Sequence, residues 1–225
     1  MRFRNELKYQ ISPIDYHIVR QRLISVLRPD PNAGPDGMYK IRSLYFETPD
    51  DKVLQEKLTG VKEREKFRIR YYNDDYSFIR LEKKYKNNSF GNKRTAPLTR
   101  EQCEMIIAGD IQWMRDSEYP LLVELYGKMK EQRLKPKVIV DYIREPFVFP
   151  AGNVRVTLDS NIRTSVHSLD MFDPDLPMIN VLGSNPIIME VKYDEYLPDV
   201  VKSVIGPVQS RANAFSKYGY SRMFG

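Results

Sequence analysis

Cysteine and histidine are nearly missing: Cys103 stands alone, with only His17 and His167 beside it, in 225 residues. That excludes a disulfide framework and a cysteine zinc site, and it disfavours a histidine metal cluster or a Ser/His/Asp arrangement. Any metal must sit on oxygen ligands, which points to Mg²⁺ or Mn²⁺. No apolar run approaches the roughly 18 to 20 residues that span a bilayer, and the Met1-Arg2-Phe3-Arg4 start lacks a signal-peptide core. The expectation is a cytoplasmic chain. No internal repeat, low-complexity tract or linker breaks it, so residues 1–225 read as a single domain.

What is present is a core and a surplus of cations. With 41% hydrophobic and 12% aromatic residues the chain can bury apolar surface, and disorder is not expected. The 36 Lys and Arg exceed the 30 Asp and Glu, for a net charge of +6, which favours an anionic partner without naming it.

Two stretches carry the pattern most clearly. In Glu65-Lys66-Phe67-Arg68-Ile69-Arg70-Tyr71-Tyr72, strand alternation puts Lys66, Arg68 and Arg70 on one face and Phe67, Ile69 and Tyr71 on the other. After a polar break at Asn73-Asp74-Asp75-Tyr76, Arg80, Glu82, Lys84 and Lys86 oppose Ile79, Leu81 and Tyr85, which predicts a hairpin. Arg4, Glu6 and Lys8 repeat the motif near the start, as do Glu190 and Lys192 against Met189, Val191 and Tyr193. For one hairpin, a water-facing polar side is the ordinary reading. Four such segments, dominated by long cations with a few carboxylates among them, suit a polyanion and a metal. Nucleic acid fits poorly, because the aromatics alternate onto the face opposite the cations instead of offering stacking platforms beside them.

Further strands are expected over residues 3–11, 39–47, 137–144, 153–159 and 187–193, with a weak one near 178–182. Ser12-Pro13 opens a helix through about Leu27 with Ile14, Ile18, Leu23 and Leu27 on one side, and Asp50 to Leu58 forms a short helix. Helices are also expected at Thr99 to Ala108, Leu121 to Glu131 and along much of Leu197 to Phe215, with Cys103 at an ordinary helical position. Asn87 to Pro97, polar and glycine-containing, reads as a loop whose Lys93-Arg94 pair either folds over a ligand or is merely solvated.

Several motifs, taken in order, carry a resemblance. They are Arg4-Asn5-Glu6-Leu7-Lys8-Tyr9, Ile41-Arg42-Ser43-Leu44-Tyr45-Phe46, Phe67-Arg68-Ile69-Arg70, Leu81-Glu82-Lys83-Lys84, Asp141-Tyr142-Ile143-Arg144-Glu145-Pro146-Phe147, Val154-Arg155-Val156-Thr157-Leu158-Asp159, Met189-Glu190-Val191-Lys192 and Phe215-Ser216-Lys217-Tyr218. Their order resembles the vacuolar transporter chaperone domain, a family that contains polyphosphate polymerases and belongs to the triphosphate tunnel metalloenzymes. The resemblance implies an α+β fold: a closed antiparallel β-barrel tunnel of about eight strands with helices outside, binding triphosphate or polyphosphate beside a divalent metal. It also implies that Lys8, Arg68, Arg70, Lys84, Arg144, Lys192 and Lys217 bind phosphate, helped by Tyr142 and Ser216, with Glu190 as principal metal ligand. Glu6 and Glu82 either join the metal or hold the cations in place.

The implied activity is transfer of the γ-phosphate of ATP to a growing polyphosphate chain, dependent on Mn²⁺ or Mg²⁺. An inorganic triphosphatase and a non-catalytic polyphosphate-binding module are the alternatives. The membrane helices and inositol-phosphate-sensing domain of the eukaryotic pattern are absent here, which implies a separate membrane partner if the product is translocated. Asn213-Ala214 stands where that pattern has a further lysine.

Overall fold

The computed structural model describes residues 5–87, 90–181, 187–206 and 216–222. The strands among these residues are β1 Asn5–Ile11, β2 Arg28–Pro29, β3 Tyr39–Glu47, β4 Glu63–Tyr72, β5 Asp75–Asn87, β6 Phe90–Leu98, β7 Lys135–Phe149, β8 Val154–Ser165, β9 Met178–Asn180 and β10 Ile187–Tyr193. The α-helices among the described residues are α1 Pro13–Val26, α2 Lys52–Leu58, α3 Arg100–Ala108, α4 Pro120–Glu131, α5 Asp199–Ile205 and α6 Lys217–Ser221. Hydrogen-bonded neighbours follow the order β1-β10-β8-β7-β3-β4-β5-β6, with short β2 on β7 and β9 on β8. Eight strands on the main path match the expected number.

The chain falls into two compact units interleaved in sequence. The first comprises Met1–Lys40, Tyr142–Ile162 and Asn180–Ser216; the second comprises Ile41–Asp141, Arg163–Ile179 and Lys217–Gly225.

In the first unit, Val156, Leu158, Met189 and Val191 form one strand face and are buried with Val19, Leu23 and Leu27 of α1 and its C-cap and with Val201 and Val204 of α5. Ser12 caps α1 by accepting from the Asp15 amide at 3.1 Å, and Asp15 answers to the Ser12 amide, closing a capping box. The buried stripe differs from the expected one. Val19 and Leu23 are inside, whereas Ile14 and Ile18 are 73% and 43% exposed. The helix turns its Val19-Leu23-Leu27 line inward, at i, i+4 and i+8, leaving the first-turn isoleucines outside.

In the second unit, Phe67, Ile69, Tyr71, Ile79 and Leu81 form the apolar face, covered by Cys103 and Ile106 of α3 and Leu121, Leu122 and Leu125 of α4. The hairpin between β4 and β5 turns at Asn73 and Asp74, with φ of 51° and 55°, the left-handed pair a type I′ turn requires. Thr99 opens α3 with a second capping box through Gln102, and Gly109 closes it at φ 85°.

Three strands, β6, β7 and β8, depart from expectation. Residues 90–98 are a strand, not a loop, because each residue finds a partner on β5: Lys93 opposite Lys84, Thr95 opposite Glu82 and Leu98 opposite Ile79. Among its described side chains, from Gly91 on, Ala96 and Leu98 are the buried ones, too few to register as an apolar alternation. β7 and β8 each run several residues past their expected ends, β7 through Pro146. The expected helix through 215 is described only as α5, and residues 207–215 lie outside the described residues.

One buried ion pair organises the second unit's apolar side. Arg42 donates from Nε and Nη2 to both oxygens of Asp141 at 2.9 Å, and from Nη1 to the Met171 and Asp173 carbonyls at 3.2 and 2.7 Å. Removing either partner would strand a charge that is 4% or 0% exposed.

Candidate phosphate-binding site

Cross-strand partners share a face, so the register of β3 to β6 assembles one polar surface in the second unit. Arg70 lies opposite Ser43, Arg68 opposite Tyr45 and Glu82, Lys66 opposite Lys84, and Lys84 opposite Lys93. This face carries Lys66, Arg68, Arg70, Arg80, Lys84, Lys86 and Lys93. Over residues 64–70 of β4, 80–86 of β5 and 91–97 of β6, Glu82 is the only carboxylate among the described residues that the register places on this face. Lys66, Arg68, Glu82, Lys84 and Lys93 line one recess.

Glu82 is 4% exposed. It accepts from Arg68 Nε at 2.6 Å, and it also ion-pairs with Lys93. Burial alone would raise its pKa, but Arg68, Arg70 and Lys93 together hold it down to about 2. It is ionised at any ordinary pH. Arg70 donates from Nε to Ser43 Oγ at 2.9 Å, which orients its guanidinium.

Tyr45 sits among these cations. Its hydroxyl accepts from Arg68 Nη1 at 3.1 Å, and Lys66 and Arg68 lie 5.7 and 5.8 Å from its ring centroid. Burial would push this phenol up, yet Arg68, Lys66 and Arg70 bring it down to about 7. Tyr218 of α6 packs against the Tyr45 ring with centroids 5.3 Å apart, and its hydroxyl donates to Glu47. That contact anchors α6, whose first residue is Lys217, with Ser216 just before it.

The first unit's polar face is balanced instead of cationic. Lys8 lies opposite Glu190, Glu6 opposite Lys192, and Glu190 and Lys192 lie opposite Thr157 and Arg155. Lys8 pairs with Glu6 at 2.5 Å; Lys192 pairs with Glu190 and lies 3.9 Å from Glu6. Arg144 grips both oxygens of Asp159 at 2.6 and 2.7 Å and stacks over Tyr142 at 5.4 Å. Arg155 pairs with Asp30 at 2.9 Å and donates to the Tyr39 hydroxyl at 2.8 Å. Burial disfavours the Lys8 ammonium, but Glu190 and Glu6 outweigh it and its pKa is raised. Arg144 behaves likewise: burial opposes its charge, and Asp159 and Tyr142 more than restore it.

Lys8, Arg144, Lys192, Glu6, Glu190 and Tyr142 thus belong to one unit, and Arg68, Arg70, Lys84, Glu82 and Lys217 to the other. Ser216 closes the first unit's last segment. Sequence reasoning leaves Lys93 open, as either folding over a ligand or merely solvated, and does not single out Tyr45 and Arg155 as site residues. Lys93 is hidden inside a stretch that reads as loop, and its neighbour Arg94 points the other way, to Glu124 of α4 at 2.7 Å. The pair therefore does not act together. Tyr45 and Arg155 do lie in phase with the cations, and strand parity is the available signal.

Glu6 and Glu190 lie on adjacent strands, ion-paired with Lys8 and Lys192; a hard divalent cation that takes one or two carboxylates and completes its shell from phosphate oxygens and water would compete with those lysines for them. Among the described residues no three His, Cys, Asp or Glu side chains converge. Glu82 is engaged by Arg68 and Lys93. Cys103 is fully buried on the inner side of α3, its thiol pushed up to about 12 by desolvation, and takes no part. No helix among the described residues is long and apolar enough to cross a membrane.

A family model, the VTC domain, matches residues 3–224. A search among curated proteins found no match. Solved structures share the fold, two of them as follows. A putative adenylate cyclase of Bacillus halodurans is 13% identical with TM-score 0.57, covering 100% of this chain and 98% of its own. A putative adenylyl cyclase of Hippeastrum, described as having a dominant triphosphatase activity, is 13% identical with TM-score 0.54, covering 99% of this chain and 96% of its own.

Proposed function

This chain belongs to the VTC domain family, and from that membership we propose that it is a polyphosphate polymerase, transferring the γ-phosphate of ATP to a growing inorganic polyphosphate chain. The observation that carries this reading is the second unit's polar face. Along β5 alone, Arg80, Lys84 and Lys86 extend over about 20 Å at 3.3 Å per residue, flanked by Lys66, Arg68, Arg70 and Lys93. A row of that length suits a polymer better than the three phosphates of one triphosphate. Self-repulsion among its cations is relieved when an anion lies on them.

Phosphoryl transfer asks little covalent chemistry of a protein. A terminal oxygen of the chain must be held in line with the γ-phosphorus; as the new P–O bond forms, the bond to the β-phosphate oxygen breaks and ADP leaves. No general base is required, because the attacking oxygen is already ionised. Arg68 and Arg70 neutralise charge on the transferring group, and Lys84, Lys93 and Lys217 hold the flanking phosphates. In the first unit, Lys8, Arg144 and Lys192 contribute further cations, with Tyr142 and Ser216 as hydrogen-bonding helpers. Glu190 and Glu6 would hold Mn²⁺ or Mg²⁺, which supplies Lewis-acid neutralisation of phosphate oxygens. Glu82, engaged by Arg68 and Lys93, serves to position cations. We take residues 1–225 as one functional domain using cytoplasmic ATP, with a separate membrane partner where product is translocated.

The second reading, an inorganic triphosphatase, is favoured by the likeness to the Hippeastrum protein; a non-catalytic polyphosphate-binding module is the third. Incubation with ATP and Mn²⁺, and separately with tripolyphosphate, decides among them. Long polymer plus ADP supports the polymerase, free phosphate from tripolyphosphate the hydrolase, and binding without turnover the module.

A further inference from the structure

Thr157 is 4% exposed, and its hydroxyl is one of the few buried polar side-chain atoms among the described residues that meets no hydrogen-bond partner. It lies on the polar face of β8, opposite Glu190. A buried hydroxyl left unsatisfied costs stability, so its persistence calls for a reason. The neighbouring acids do not provide one. Glu190 is paired with Lys192, and both oxygens of Asp159, two residues along the strand, are taken by Arg144.

A second orphan identifies the missing chemistry. Arg155, two residues away in the other direction and on the same face, uses Nη2 on Tyr39 and Asp30, while its buried Nε is without a partner. A guanidinium Nε–H only donates, so a cation cannot satisfy it; the absent group must accept. A threonine hydroxyl can donate to the same kind of group.

Resting on the reading that these faces bind phosphate chains, we infer that the Thr157 hydroxyl donates a hydrogen bond to an oxygen of the bound phosphate chain, beside Arg155. Thr157 is thus a binding residue in its own right. Its hydroxyl is a desolvation cost in the empty protein that the ligand removes.

The test is isothermal titration of the full chain in chelator, with tripolyphosphate and separately with ATP, comparing wild type, Thr157→Val and Thr157→Ser. Valine keeps the shape and deletes the hydroxyl; serine keeps the hydroxyl. Thr157→Val should bind at least one of the two ligands roughly tenfold to a hundredfold more weakly, and Thr157→Ser close to wild type. Which ligand is weakened tells whether polymer or nucleotide supplies the oxygen. Ligand-free Thr157→Val should melt at or above the wild-type temperature. If wild type binds and Thr157→Val binds equally well, or is weakened only when metal is present, this inference falls and the polymerase reading stands. Should wild type bind neither ligand, it is the phosphate-binding reading that fails. If Thr157→Val does not fold, Thr157→Ala carries the same comparison.

Discussion

Arg68 and Glu82 face each other across β4 and β5, with Nε 2.6 Å from Oε2, so the cation expected to grip phosphate is already held by a carboxylate. Lys93 takes the same carboxylate from β6. The acid sets the direction of its two cations before any ligand arrives, and it keeps three strands' worth of positive charge from facing itself unrelieved.

Arg68→Ala should therefore do two things. It removes a charge-assisted contact to phosphate, and it leaves a nearly buried carboxylate to Lys93 and the field of Arg70. We expect tripolyphosphate-induced thermal stabilisation to be largely lost, and the ligand-free protein to be destabilised by about 1 to 3 kcal/mol. Adding Glu82→Gln should recover stability without recovering binding. Thermal melts with and without tripolyphosphate check both; an undiminished ligand shift in Arg68→Ala would remove Arg68 from the site.

The depressed Glu82 carboxyl gives an acid-side prediction. A group at about 2 when folded and near 4.5 when unfolded contributes its stability in full above about pH 4.5, and loses it as pH falls toward 2. The contribution is on the order of 2 to 3 kcal/mol. Urea unfolding between pH 5 and about pH 2.5 should show a shallower acid loss in Glu82→Gln than in wild type. Parallel curves would mean that Glu82 is not the group responsible.

Lys93 and Arg94 are neighbours in sequence with opposite roles. Lys93→Ala should weaken tripolyphosphate binding, whereas Arg94→Ala should leave it unchanged and cost no more than about 1 kcal/mol, because its pair with Glu124 is solvent-exposed. Equal loss of affinity in the two would contradict the strand register of β6.

Tyr45 carries a pH signature near neutrality. Its phenol, brought to about 7 by Arg68, Lys66 and Arg70, becomes a phenolate among the phosphate-binding cations as pH rises. Folding stability from this group is present above the unfolded value near 10 and is lost as pH falls through 7. Phosphate affinity runs the other way, declining as pH rises through 7 because the phenolate competes for the same cations. In Tyr45→Phe the affinity should be flat across that range, and the phenolate absorbance step near neutral pH should vanish. A wild-type protein without that step would refute the assignment.

Glu190→Gln should abolish turnover that depends on added Mn²⁺ while sparing much of the tripolyphosphate binding measured in chelator. The amide keeps the shape of the side chain and loses the charge a hard cation needs. Normal dependence on Mn²⁺ in the folded variant would take Glu190 out of the metal site and leave it as the structural partner of Lys192.

Strand alternation is a property of the backbone, so the two-faced character of β1, β4, β5 and β10 is legible in the order of residues alone: Lys66, Arg68 and Arg70 cannot share a face with Phe67 and Ile69. Helix openings at Ser12 and Thr99 are legible for the same local reason, since a capping box needs only residues three apart. What cannot be read locally is pairing. β6 exists because β5 offers it hydrogen bonds, and that alone brings Lys93 to Glu82 and sends Arg94 to α4. Pairing likewise decides which cations are neutralised: Lys8, Lys192, Arg144 and Arg155 each meet a carboxylate contributed by their own or another segment, whereas the longer row of cations on β4 to β6 gathers around Glu82. Composition determined that this protein carries excess positive charge; only strand pairing, between neighbours in sequence at β4 to β6 and between distant segments at β1, β10 and β8, decided where that charge is left for a ligand to answer.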